Sequence, residues 1–307
     1  MTSREEGFLL LTSHLGDPTR HPLTVAQLRE LERCVLRSDR QRQDRELRTE
    51  DLIELGCHAD LAEKAVSLLS DQQMLHAYLQ QGRAAGCIPL SRVTDGYPLR
   101  VRKCLDLDAP GCLWLKGNTD LLTKPAVALV GSRNLYLRNE EFAREVGAVT
   151  AKYGMVLISG NARGADSVAQ ESCLRAGGNV ISVVADSLCT KQADDRILYI
   201  SEDGFDMTFS NHRALSRNRL IHTMAQTVFV AQCSNGTGGT WDGTCRNLRG
   251  GWSRVCCFAD GSVAAAKLYK MGAVMEKIAD IDKTILEITQ ATVQNDEVYD
   301  RNSKMIK

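Results

Sequence analysis

The chain has no excess of either charge. Its 307 residues hold 38 Lys and Arg against 38 Asp and Glu, a formal net charge of zero. No global positive field draws in a polyanion, so any nucleic-acid contact has to come from a local basic patch. Aromatic residues are scarce at 5%, which weighs against a long generic stacking groove. No apolar run approaches the roughly 20 residues that span a bilayer. The opening residues are acidic beyond Arg4, and only the short apolar run Phe8 to Leu11 follows. Neither a membrane anchor nor a secretory leader is expected, and a cytoplasmic location is.

Metal and catalytic signatures are missing as well. The 11 cysteines are scattered without a CxxC pair, so no zinc site is signalled and reduced thiols filling core positions are expected. The six histidines show no HExxH or HxH spacing, and no metal is expected. There is no GxGxxG dinucleotide fingerprint, no GxxxxGK[ST] P-loop and no GxSxG nucleophile elbow. No resident cofactor is expected.

What is present is a regular alternation. Hydrophobic residues make up 43% and charged residues 25%, ordinary for a soluble globular protein. Residues 1–85 read as a small helical domain. Thr24 and Gln27 have capping-box spacing before an amphipathic run through Leu28, Leu31, Val35 and Leu36. The mixed-charge stretch Arg40 to Arg48 reads as a solvated helix end or linker. Leu52, Leu55, Leu61, Ala65, Leu68, Leu69 and Leu75 then supply further helical faces. Breaker signals at Ile88-Pro89-Leu90, Gly96-Tyr97-Pro98 and Ala109-Pro110-Gly111 mark residues 86–120 as a connecting segment packed on the core, with Leu113–Leu115 as a short strand.

Residues 121–280 alternate strand and helix. Strands are expected at 126–130, 155–158, 180–184, 227–231 and 255–258, and helices at 140–153 and 167–176. The strands are apolar throughout, as buried parallel strands must be. The expected fold is therefore α/β: an extended Rossmann-like parallel sheet flanked by helices, with a small N-terminal helical domain. Residues 281–307 read as a C-terminal tail, a short helix and then polar residues expected to fray.

Ligands of open parallel sheets bind beyond the carboxyl ends of the strands. Three loops stand there. The first is Gly131, Ser132, Arg133 and Asn134. The second runs from Ser159 and Gly160 through Arg163 and Gly164 to Asp166. The third holds Asn235, Gly236, Thr237, Gly238, Gly239 and Thr240. Glycine permits close backbone approach and positive φ, helix-start N–H groups attract anions, and arginine adds bidentate contacts. Phosphate binding is the expected chemistry of all three. Arg217, Asn218 and Arg219, just before the strand at 227, are placed so that two arginines flanking an asparagine could reach the same ligand edge.

The order of these motifs resembles the DprA/Smf family of DNA-processing proteins. Val130 to Arg133 matches that family's VGSR, Ser159 to Asp166 its SGLARGID, and Arg217 to Ile221 its RNRII. Tyr97-Pro98, Ala109-Pro110 and Leu115 to Gly117 are similar to its lead-in, and Gly272-Ala273 falls at its late GA. The resemblance implies a domain that binds single-stranded DNA through backbone phosphates in recombination, transformation or defence against foreign DNA. It also implies a homodimer and a RecA-type recombinase as partner. Arg133, Ser159, Gly160, Arg163 and Asp166 would line the pocket, with Arg133 and Arg163 on phosphates. Asp166 would hold an arginine or cap the next helix, and Lys191 is a further candidate.

The chain also departs from that pattern. Val168-Ala169-Gln170 replaces the family's AAH, and Asn235 to Gly243 replaces its SGSLxTA. The latter segment is closer to the GGxGTxxE loop of LOG phosphoribohydrolases, with Asp242 one place before the glutamate position. This leaves an alternative open: binding or N-glycosidic hydrolysis of a free nucleotide, with Asp242 as the acidic group such hydrolysis needs. A third possibility is a structural Rossmann-like protein acting through partners.

Overall fold

A computed structural model describes residues 1–36 and 47–291. The chain divides into two compact units. One comprises residues 1–36 and 47–115, with Ser187–Cys189 and Ser201–Met207. The other comprises Lys116–Asp186, Thr190–Ile200 and residues 208–291. Residues 40–46 of the mixed-charge stretch and the polar tail from 294 onward lie outside the described residues.

The first unit opens with α1 (Ser3–Thr12), α2 (Val25–Leu36), α3 (Thr49–Glu54), α4 (Ala59–Ser70) and α5 (Gln72–Ala84). The expected capping box starts α2: the Gln27 amide N–H donates to Thr24 Oγ1 at 3.2 Å, and the Thr24 amide to Gln27 Oε1 at 3.1 Å. Leu31, Leu52, Leu61 and Ala65 form the core of these helices. Arg20 is buried among them, its guanidinium donating to the Leu10 and Leu68 carbonyls and pairing with Asp71. After α5 come β1 (Ile88–Ser91), α6 (Leu99–Leu105) and β2 (Cys112–Gly117). The breaker reading of Ile88-Pro89-Leu90 is corrected here: β1 pairs antiparallel with β2, Pro89 opposite Trp114. Proline is tolerated because β1 is paired along one side only.

The second unit contains β3 (Ala126–Val130), α7 (Leu137–Lys152), β4 (Val156–Ser159), α8 (Ala165–Arg175), β5 (Asn179–Val183) and β6 (Ile197–Glu202). Then follow α9 (Asn211–Ser216), α10 (Asn218–Met224), β7 (Thr227–Val230), α11 (Gly239–Gly250), β8 (Arg254–Phe258), α12 (Val263–Lys270) and β9 (Val274–Glu276). A further helix covers 281–291. The strand order is β6-β5-β4-β3-β7-β8-β9, with every neighbouring pair parallel. The Rossmann-like α/β expectation is met. β6 and β9 were not foreseen.

The core between sheet and helices is built from Phe142, Leu157, Phe229, Phe258 and Ile285. Phe142 stacks on Phe258 at 4.7 Å between centroids. Residues of this size each contribute roughly 1.5–3 kcal/mol by burial. Cys173 and Cys256 fill small gaps in this core as free thiols, and burial pushes both up to about 12.

The strand order reverses between β3 and β7. Strands β4 to β6 add on one side of β3, and β7 to β9 on the other. Helices following β3 and β7 must leave in opposite directions, which opens a crevice at the carboxyl ends of those two strands.

Candidate functional site

That crevice holds an open pocket of about 640 Å³. The loop after β3 forms one wall, α9 and the start of α10 another, and residues 237–240 at the start of α11 a third.

The three loops are bound to one another by their own backbones. The Ser132 amide and hydroxyl donate to the Gln232 carbonyl at 2.9 and 3.2 Å. The Ala165 amide, at the start of α8, donates to the Ser132 carbonyl at 3.1 Å. Thr240 Oγ1 donates to the Gly131 carbonyl at 3.0 Å. Gly131 packs against Ala165, and Gly164, at φ +91°, packs against the Ser132 and Arg133 carbonyls. A Cβ at either glycine would collide with these neighbours. Their small size therefore serves loop-on-loop packing, whereas the sequence had suggested anion approach.

Gly160 is corrected in the same way. It is buried, and a Cβ there would overlap the Arg217 guanidinium. Ser159 is fully buried, its hydroxyl donating to the Leu129 carbonyl at 2.8 Å. Neither lines the pocket. Asp166 does, but it is only 6% exposed and sits 3.6 Å from Arg217 Nη2 while accepting from the Ala162 amide at 3.3 Å. Burial raises its carboxyl above the usual carboxylate range, opposed by Arg217 and the Ala162 amide. Asp166 thus holds an arginine, as the resemblance implied.

Arg133 behaves differently. It lines the pocket and is exposed. Among the described residues its guanidinium has no hydrogen-bond or ion-pair partner. Arg163 is also exposed, but donates to Asn134 Oδ1 at 3.0 Å and stays outside the pocket. The same pocket is lined by the start of α11, whose N-cap Gly238 has a φ of +86° that glycine adopts readily. The first N–H groups of a helix lack intrahelical partners and carry its positive dipole end. Thr237, Gly238, Gly239 and Thr240 bring that end to the pocket wall. Asn235 and Gly236 lie on the exposed part of the loop, away from the lining.

The Arg217–Arg219 cluster separates. Arg217 faces this pocket, and Asn218 Nδ2 donates to the Gly239 carbonyl at 3.1 Å, fastening α10 to the start of α11. Arg219 faces a different cleft. α10 turns consecutive side chains by about 100°, so two arginines two positions apart cannot share one ligand edge. Lys191 is withdrawn as a pocket residue, because it pairs with Asp186 at 2.6 Å. Asp242 is outside too: it pairs with Arg246 one helical turn on, at 2.9 Å, and lines the other cleft. The carboxylate invoked for N-glycosidic hydrolysis is thus absent from the lining of the crevice.

The lip also contains residues that the sequence reading missed. Tyr136 lines the pocket and is 75% exposed; Leu137, next in sequence and 82% exposed, is outside the lining. Leu215 on α9 also lines the pocket and is exposed. Gln232 joins the β3 and β7 loops, accepting from the Tyr136 amide and donating to the Asn134 carbonyl. The pocket thus combines arginine side chains and helix-start N–H groups with the exposed side chains of Tyr136 and Leu215.

Residues 90–242 match the family model of DNA recombination-mediator protein A. The DNA processing protein DprA of Streptococcus pneumoniae is 32% identical over 160 residues, 48% of this chain and 55% of that one. The chain spans about half the length of the curated relatives it matches. Among solved structures, DprA from S. pneumoniae superposes with a TM-score of 0.67 at 24% identity, covering 90% of this chain and 95% of that chain. DNA processing protein A from Helicobacter pylori, solved for its single-stranded DNA binding mode, gives 0.54 at 21% identity, covering 66% and 96%. These structures share its fold. Through residues 90–242, the chain belongs to the DprA/Smf family of DNA-processing proteins.

Proposed function

We propose that the β3/β7 crevice binds single-stranded DNA through its backbone phosphates, as part of DNA processing. The observation that carries this is the exposed guanidinium of Arg133, without a partner among the described residues, lining one open pocket together with the N-terminus of α11. A phosphate between them gains a charge-assisted contact from one side and unpaired N–H groups from the other. Tyr136 at the lip offers a stacking face, which every base can use irrespective of sequence. The reading is compatible with the zero net charge, since it needs local basic groups and no global positive field. The relative from H. pylori binds single-stranded DNA. Hydrolysis finds less support, because Asp166, the acidic residue of the pocket lining, is engaged with Arg217. In this reading the chain pairs with a second copy and hands its strand to a RecA-type recombinase, as the family resemblance implies.

Competition tests the proposal. A labelled oligothymidylate bound to the full chain is displaced by unlabelled strand and resists free nucleotides at the same phosphate concentration. Equal displacement by mononucleotides, or a nucleotide found co-purified by native mass spectrometry, would instead make this a free-nucleotide site. No helix among the described residues is long and apolar enough to cross a membrane.

A further inference from the structure

The second cleft, about 250 Å³, lies between α9 and α11 on the far side of Leu215. Leu215 lines both cavities and is 51% exposed, so one side chain separates them. The cleft is lined by Arg219 and Arg246 with a single carboxylate, Asp242, and by His212 and the half-buried indole of Trp252. Cations beside an aromatic face are the elements that hold one nucleotide, the base on the ring and the phosphate on the guanidinium.

Trp252 is held in place by a buried polar chain. After α11, Gly251 takes a left-handed turn at φ +59°, and the indole packs flat against Gly250, where a Cβ would collide with it. The Trp252 amide donates to the Asn247 carbonyl at 3.3 Å. Asn247 is fully buried. Its side chain accepts from the Ser253 amide at 2.9 Å and donates to Ser253 Oγ at 2.7 Å. The same amide nitrogen lies 3.0 Å from Nδ1 of His222, which is also fully buried. Gly243 forms part of the cleft wall directly over His222, and a larger residue there would press on that ring. Trp252 thus stands half-accessible on the cleft wall, at a turn that buried hydrogen bonds hold in place.

We propose that this cleft is a second nucleotide subsite, in which Trp252 stacks a base and Arg219 and Arg246 hold the adjoining phosphate of the same strand that occupies the first pocket. The inference rests on the single-strand reading above. The strand crosses Leu215, an exposed apolar ridge suited to bases in transit. Its phosphate competes with Asp242 for Arg246, an exchange that is cheap because that ion pair is solvent-exposed.

The test is a length series on the full chain, using labelled oligothymidylates of about four and about twenty nucleotides, a range that spans one to several subsites. Trp252→Ala should weaken the long strand roughly tenfold, the size of one base-aromatic stack, and leave the short strand unchanged. Trp252→Phe should restore most of the loss, which separates stacking from misfolding. Arg133→Ala should weaken both lengths. If Trp252→Ala leaves the long strand unaffected, or weakens both strands alike, the subsite is wrong while the first pocket stands. If the unaltered protein binds neither strand, the single-strand reading fails and takes this subsite with it. Quenching of the indole by thymidine monophosphate, with no effect of Trp252→Ala on either strand, would overturn strand continuity and leave a free-nucleotide cleft.

Discussion

Replacing Arg133 with alanine should separate binding from folding. The side chain is exposed and has no partner among the described residues, so its removal leaves nothing unsatisfied. Exposed substitutions of this kind change stability by about 0.5 kcal/mol or less, and the thermal midpoint should hardly move. The bound state loses a charged hydrogen bond to phosphate. Such bonds are worth about 1.5–3 kcal/mol net, and exposure places this one near the lower end, a loss of about tenfold in affinity. One neutralised phosphate fewer also lowers the slope of log K against log salt by about 0.7 for a single strand. Fluorescence anisotropy with a labelled oligothymidylate at several salt concentrations reads both quantities. Lysine at the same position should recover most of the slope but less of the affinity, because an ammonium cannot make the bidentate contact. Unchanged affinity and slope in Arg133→Ala would show that the guanidinium touches no phosphate.

Three other perturbations probe the scaffold. Arg217→Ala strands the buried Asp166 carboxylate and should cost about 3–5 kcal/mol, read as a fall in the denaturation midpoint; Asp166→Asn in that background should recover part of it. Gly160→Ala forces a methyl onto the Arg217 guanidinium and should destabilise by about 1–3 kcal/mol, whereas a simple turn glycine would tolerate the change. His222 is pushed down to about 4 from 6.5 by burial. The unfolded chain therefore binds the proton first, and the stability that neutral His222 provides, complete above about 6.5, is lost as pH falls toward 4. At 1.36 kcal/mol per unit the loss reaches about 3 kcal/mol. His222→Asn should flatten the pH dependence of urea midpoints across that window, and an unaltered slope would argue against a buried neutral ring.

The parallel sheet was legible because buried strands have no polar face: Ala126–Val130 matches its expected bounds to the residue. β6 was missed because Ala193-Asp194-Asp195-Arg196 precedes it and its pattern is mixed, Tyr199 and Ser201 interrupting the apolar run. The three loops were legible from their glycines and from their positions after strands. What those glycines do was not, since packing on Arg217 or on Ala165 joins residues far apart in sequence. Lys191 and Asp242 misled for a related reason. Each has a local opposite charge, Asp186 and Arg246, and spacing alone does not say whether a charge is spent locally or offered to a ligand. Tyr136 carried no signal beyond its place after Arg133, because an exposed aromatic differs from a buried one only in its surroundings.

On the proposal made above, the β3/β7 crevice holds the phosphates of a single strand. Its most direct measurement is the affinity of the unaltered chain for a labelled oligothymidylate across rising salt. The account requires log K to fall linearly with log salt, by about 0.7 for each phosphate held, with little change when another base composition is substituted. Affinity that stays flat with salt, or no binding even at low salt, would contradict it.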